Sequence, residues 1–191
     1  MNAIVESCAA PSGFIHPVID GDVANYFEWI GAGSVEIVPV GDAMHDVSAR
    51  GTVISAIEFG SDRDNLFVKV AGPSPMRDVI SGDQQLSVNF LRPEGSRIVV
   101  SGADGHVRAE MVERARDKNI RSRNCPDIKV AAGLVLELQV PFSCLGAAHD
   151  STIAFIVAVN RQGTEVEHHP RHQPIEVEVP DDTFPARNWT A

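Results

Sequence analysis

Polar and apolar residues alternate one by one along several short segments of this chain, and that period of two leaves few folds open. Leu86, Val88 and Phe90 enclose Ser87 and Asn89, while Leu134, Leu136, Leu138 and Val140 alternate with Glu137 and Gln139. Ile175, Val177 and Val179 enclose Glu176 and Glu178 in the same way. Successive side chains of a strand point to opposite faces, so each segment predicts a strand with one side in a core and the other in water. Ile153 to Val159 is apolar throughout, the pattern of a central strand covered on both faces. No stretch sustains the i, i+3, i+4, i+7 repeat of a long amphipathic helix. Val107 to Arg116 comes nearest, and Val107, Ala109 and Met111 fit a strand there.

Turn-forming residues sit between the alternating segments. Gly60-Ser61-Asp62-Arg63-Asp64-Asn65 separates Thr52–Phe59 from Leu66–Val70, and Arg92-Pro93-Glu94-Gly95-Ser96 separates Leu86–Leu91 from Arg97–Val100. Arg161-Gln162-Gly163 separates Ile153–Asn160 from Thr164–His168. Each triplet reads as a hairpin. Many short strands with no interleaved helices predict an all-β fold, an antiparallel two-sheet β-sandwich of jelly-roll type. Leu86, Val88, Phe90, Leu134, Leu136, Leu138, Phe155, Val157 and Val177 are expected to point inward. Residues 1–13 are small and polar and read as a linker; residues 14–191 read as one domain.

The chain carries 26 acidic and 16 basic residues, a net charge of -10. An acidic surface repels phosphate backbones, which argues against nucleic acid and anionic membranes as partners and leaves neutral ligands such as sugars. The basic run from Arg114 to Arg123 reads as a solvated loop or strand face. Three cysteines, Cys8, Cys125 and Cys144, have no metal-ligand spacing and read as the reduced thiols of a cytoplasmic protein. The N-terminal residues lack a basic region followed by an apolar run, so no signal peptide is expected.

The motifs of catalysis are missing. There is no G-x-S-x-G elbow, and Gly31-Ala32-Gly33 precedes no predicted helix. Cys144 reads as a small buried hydrophobe. His168, His169 and His172 lie beside Glu165 and Glu167, without the i, i+4 spacing that brings two ligands to one side of a helix; they read as a solvated loop. The acidic residues could supply the carboxylate pair of a glycoside hydrolase, but they fall in turns and on wet strand faces. Asp20, Asp22, Asp62 and Asp64 lie in oxygen-rich loops and are the calcium candidates, because calcium takes carboxylate and carbonyl oxygens. No other cofactor is expected.

Sugars stack on aromatic rings and give their hydroxyls to carboxylates and amides. The one dense aromatic cluster is Tyr26-Phe27-Glu28-Trp29. On a strand Tyr26 and Glu28 would share one face, and Phe27 and Trp29 the other, so one pair should be core. Trp29 therefore has two readings, core ring or sugar platform.

The segments Phe14-Ile15-His16-Pro17-Val18-Ile19-Asp20-Gly21 and Asn25-Tyr26-Phe27-Glu28-Trp29-Ile30-Gly31-Ala32-Gly33 resemble the opening of the C-terminal domain of glycoside hydrolase family 57 proteins, the amylopullulanase and α-amylase-like group. Three further stretches match in order. They are Gly41-Asp42-Ala43-Met44-His45, the hairpin from Ile57 to Val68, and Ile175 to Pro180 with Arg187-Asn188-Trp189. That domain is similar to the glucodextranase C-domain and to DOMON-like, family 9-type carbohydrate-binding modules. The likeness spans Phe14 to Trp189, but the aromatic expected near His168-His169-Pro170 is absent. It implies a β-sandwich accessory module that is no enzyme itself. Its partners would be an α-glucan or oligosaccharide and the catalytic domain of the parent chain. The alternative is a purely structural domain that packs on that catalytic domain. Tyr26, Glu28, Trp29 and His45 are the sugar-site candidates, and the Trp189 indole is expected to dock on the sandwich.

Overall fold

The computed structural model describes residues 3–23, 26–40, 52–103, 105–114 and 120–180. In chain order the strands are β1 (Ala3–Ala9), β2 (Gly33–Val40), β3 (Ala56–Ser61), β4 (Asn65–Ala71), β5 (Gln84–Arg92), β6 (Ser96–Ala103) and β7 (His106–Arg114). They continue with β8 (Ile120–Arg123), β9 (Lys129–Ala132), β10 (Leu136–Pro141), β11 (Thr152–Arg161), β12 (Thr164–His169) and β13 (Ile175–Glu178). Two short helices, α1 (Met76–Ser81) and α2 (Phe142–Leu145), follow β4 and β10. No helix among the described residues is long and apolar enough to cross a membrane.

The strands form two antiparallel sheets. One runs β1-β2-β3-β4-β10-β9; the other runs β12-β11-β5-β6-β7-β8, with β13 also paired to β11. The all-β two-sheet sandwich is therefore the fold, and the three expected hairpins are present as β3/β4, β5/β6 and β11/β12. Alternation works as the period demands: Leu66, Val68 and Val70 of β4 meet Leu136, Leu138 and Val140 of β10, all buried. From the other sheet Leu86, Val88, Phe90, Phe155, Val157 and Val177 join the same core. At its centre the fully buried Phe155 lies 6.4 Å edge-on from Phe59 of the opposite sheet and 6.0 Å from Phe90 of its own.

Three expectations need correction. Residues 3–9 are not a linker: β1 pairs with β2 along its whole length, from Ala3–Val40 to Ala9–Ser34. Leu134 does not point inward. It is 48% exposed, because β10 begins only at Leu136 and Val135 takes the buried place in the preceding turn. Cys125 and Cys144 are not free thiols but a disulfide, with Cα atoms 6.0 Å apart and a separation of 19 positions in sequence. Spacing alone conceals this pairing, since it is the β9–β10 hairpin that returns the chain beside Cys125. Closing a loop of that length is worth about 3 kcal/mol. Reduction, or Cys125→Ser, is therefore expected to lower the unfolding free energy by that amount and the denaturation midpoint with it. An unchanged midpoint under reductant would show that the bond constrains nothing. Cys8 is free and exposed on β1.

Candidate functional site

The outer face of the first sheet is partly covered. Residues 10–23 and 26–32, between β1 and β2, lie as a strap across that face. Ile15 and Trp29 from the strap and Phe67 from the outer side of β4 form a second buried cluster there, with Ile19 and Ala32 against it. Strap and sheet are joined by backbone and side chain together: Ile15 N–H donates to the Ser61 carbonyl at 3.1 Å, and Val135 N–H to the Gly21 carbonyl at 3.2 Å.

Glu137 of β10 holds the centre of this contact. Its Oε2 accepts from the backbone N–H of Asp20 and Gly21 at 3.0 and 2.9 Å, and its Oε1 accepts from Trp29 Nε1 at 3.1 Å. The carboxylate expected on a wet face is therefore almost fully buried. A buried acceptor needs donors, and the strap supplies three. Gly21 fits only as glycine: its φ is +79° and a Cβ would lie 2.7 Å from the Gly133 nitrogen.

Tyr26–Trp29 forms a 3₁₀ turn and not the expected strand. The Ile30 and Ala32 amides close on the Phe27 and Trp29 carbonyls, and Gly31 takes φ +91°. The run has no pairing partner to extend it, and burial of the Trp29 ring with its N–H satisfied fixes the turn. Trp29 is thus core, the first of its two readings. Its ring carries Lys69 Nζ 4.6 Å from the centroid, a cation–π contact.

Between strap and sheet lies a groove of about 550 Å³. Its floor is a cross-strand row, Ser34–Glu58–Lys69–Glu137, set by the registers of β2, β3, β4 and β10. Lys69 is ion-paired with Glu58. Asp22, Val23, Glu28, Ile30 and Glu36 complete the walls. Glu28 Oε2 accepts from the Val18 amide at 3.1 Å, closing the strap on itself. In the same turn Phe27 is 77% exposed. Of the sequence-derived sugar candidates, Glu28 and Trp29 come together here; the Tyr26 side chain and all of His45 lie outside the described residues, as does Trp189. Glu36, Glu58, Lys69 and Glu137 were not legible as site residues.

The calcium candidates turn on their own chain. Asp20 Oδ1 accepts from the Asp22 amide at 2.8 Å, and Asp62 Oδ1 from the Asp64 and Asn65 amides at 2.8 and 2.7 Å. Among the described residues no three His, Cys, Asp or Glu side chains converge as a metal site.

Of the histidine cluster only His172 lies in an exposed bend; His168 and His169 belong to β12. His168 and His169 face opposite sides of β12, as neighbours on a strand must. His168 pairs with Glu165 at 2.8 Å on the outer side, while His169 is 0% exposed between two carboxylates.

No protein-family model matches the chain, and no curated protein matches it.

Proposed function

We propose that this domain is a non-catalytic, carbohydrate-binding accessory module of an α-glucan-acting glycoside hydrolase, and that the groove under the strap is its sugar site. One observation carries the reading: a concave groove is lined with hydrogen-bonding charge, and the turn that gives it Glu28 and Trp29 also carries the exposed Phe27. Phe27 offers a flat apolar face of the kind on which the C–H face of a sugar stacks. Glu36, Glu58 and Asp22 would accept from hydroxyls and Lys69 would donate. The volume falls within the roughly 300–1,000 Å³ of small-ligand sites. The duties of the groove's acids favour binding over hydrolysis: Glu137 holds three donors, Glu58 an ammonium and Glu28 a backbone amide. The Cys125–Cys144 bond supports an oxidising compartment over the cytoplasm as the place of work.

The structural alternative, packing on the parent's catalytic domain, is favoured by one feature. Val18, Val23, Phe27 and Ile30 are all more than half exposed along the strap, and exposed apolar groups that cluster mark contact surfaces.

Titration with maltoheptaose separates the two. The expected dissociation constant is ~10 µM to 1 mM, because a shallow groove leaves little surplus over the costs of association. Phe27→Ala, exposed and so harmless to folding, is expected to weaken binding about tenfold, the equivalent of 1.4 kcal/mol. No heat at millimolar sugar in the folded wild type would leave the packing role alone.

A further inference from the structure

We propose that Glu6, His169 and Glu167 form a proton-dependent latch between the two sheets, and that β1 and the 52–55 loop let go when the imidazole loses a proton. His169 Nδ1 lies 2.6 Å from Glu6 Oε1, and Nε2 lies 3.0 Å from Glu167 Oε1. Glu6 comes from β1 at the edge of the first sheet, and His169 and Glu167 from β12 at the edge of the second. The remaining acceptor positions are taken by amides: Arg171 N–H on Glu6 Oε2 at 2.8 Å, and Val53 and Ile54 N–H on Glu167 at 2.7 and 3.0 Å.

That geometry dictates the protonation state. A carboxylate only accepts, so a ring nitrogen facing one must carry hydrogen. Both nitrogens face carboxylates, hence His169 is an imidazolium carrying +1 between two charges of −1. Three backbone N–H groups offset the surplus negative charge. Loss of either proton sets a nitrogen lone pair against a carboxylate in a place without water, and the contact becomes repulsive. Among the described residues the charged groups facing the ring are Glu6 from β1 and Glu167 from β12. Val157 faces it across β11, and Val53 and Ile54 contribute amides only.

The electrostatics of the site agree with the geometry. Burial alone would drive the proton off His169, but hydrogen bonds to Glu167 and Glu6 and their two charges outweigh it, and the value rises above the ordinary 6.5. Burial alone would raise Glu167, but His169 and the Val53 and Ile54 amides outweigh it, and its value falls below the ordinary 4.5. A raised histidine contributes stability that is whole below 6.5 and is lost as pH climbs through the folded value. A lowered glutamate contributes stability that is present above 4.5 and is lost as pH falls through its folded value. The latch is therefore closed between these limits and opens on the alkaline side by way of His169.

Amide hydrogen exchange from pH 6 to 10, corrected for the intrinsic rate, tests the latch. Protection of residues 3–9 and 52–55 is expected to fall by about tenfold per pH unit from 6.5 up to the His169 midpoint and to level off beyond it, while β5 and β11 keep theirs. In His169→Gln, β1 is expected to be loosely held at every pH. In Glu6→Gln the transition is expected at lower pH, since one stabilising charge is gone. Should His169→Gln fail to fold, the Glu6→Gln midpoint decides. The latch is overturned if β1 keeps pace with β11 at all pH values in the wild type, or if the drop keeps its midpoint in Glu6→Gln.

Discussion

Glu137→Ala is expected to lose about 3–5 kcal/mol of stability and, with it, the proposed sugar site. The estimate follows from what the side chain leaves behind: two backbone amides and an indole N–H, buried or partly buried and without an acceptor. Stranding buried donors costs about 1–3 kcal/mol each, and removing one side of a buried charged contact about 3–5 kcal/mol. The strap would lose its anchor at Asp20, Gly21 and Trp29 together, and with it the groove wall. Glu137→Gln keeps the volume and one acceptor but turns an amide NH₂ towards donors, so a smaller loss is expected. Urea unfolding gives the stability and maltoheptaose titration gives the site. A Glu137→Ala protein with the wild-type midpoint would show the strap to be held by apolar contact alone.

The second large effect is at Phe155. Phe155→Ala is expected to destabilise by about 3–5 kcal/mol, the usual cost of emptying an aromatic site in a core. Phe155 is fully buried on β11, and its ring bridges the sheets, edge-on to Phe59 and tilted against Phe90. β-sheet backbones on both sides resist collapse into the space, which places the cost high in that range. With total stabilities of about 5–15 kcal/mol for domains, the variant should melt far below the wild type. A loss under about 1 kcal/mol would mean that the sheets close over the gap.

How much of this could be read from residues alone depends on the distance between partners. The β3/β4, β5/β6 and β11/β12 hairpins were legible because the turn residues lie between the strands they join. The β4–β10 pairing was not: Leu66 and Val140 are opposite in space but separated by the whole of the second sheet's first half. The fate of Glu137 hung on that pairing. An outward glutamate on an alternating strand reads as solvated, and only the strap, docked from more than a hundred residues away, makes it buried. His169 was misread for the same reason, since both its β12 neighbour and distant Glu6 are needed to see the ring enclosed. The site was legible only as far as the local cluster of Glu28 and Trp29. Even there the 3₁₀ turn escaped, because period two cannot register in four residues followed two places on by Gly31 with its positive φ.

The strap's own cluster of Ile15, Trp29 and Phe67 shares no residue with the buried core between the sheets. The sandwich core and the strap contact are therefore separable under mutation. The exposed positions 22, 23, 27 and 30 could be rewritten by drift or by design, with Trp29, Glu137 and the Gly21–Gly133 contact kept as the anchor. The sandwich would fold beneath them unchanged, free to carry a different specificity on the same frame.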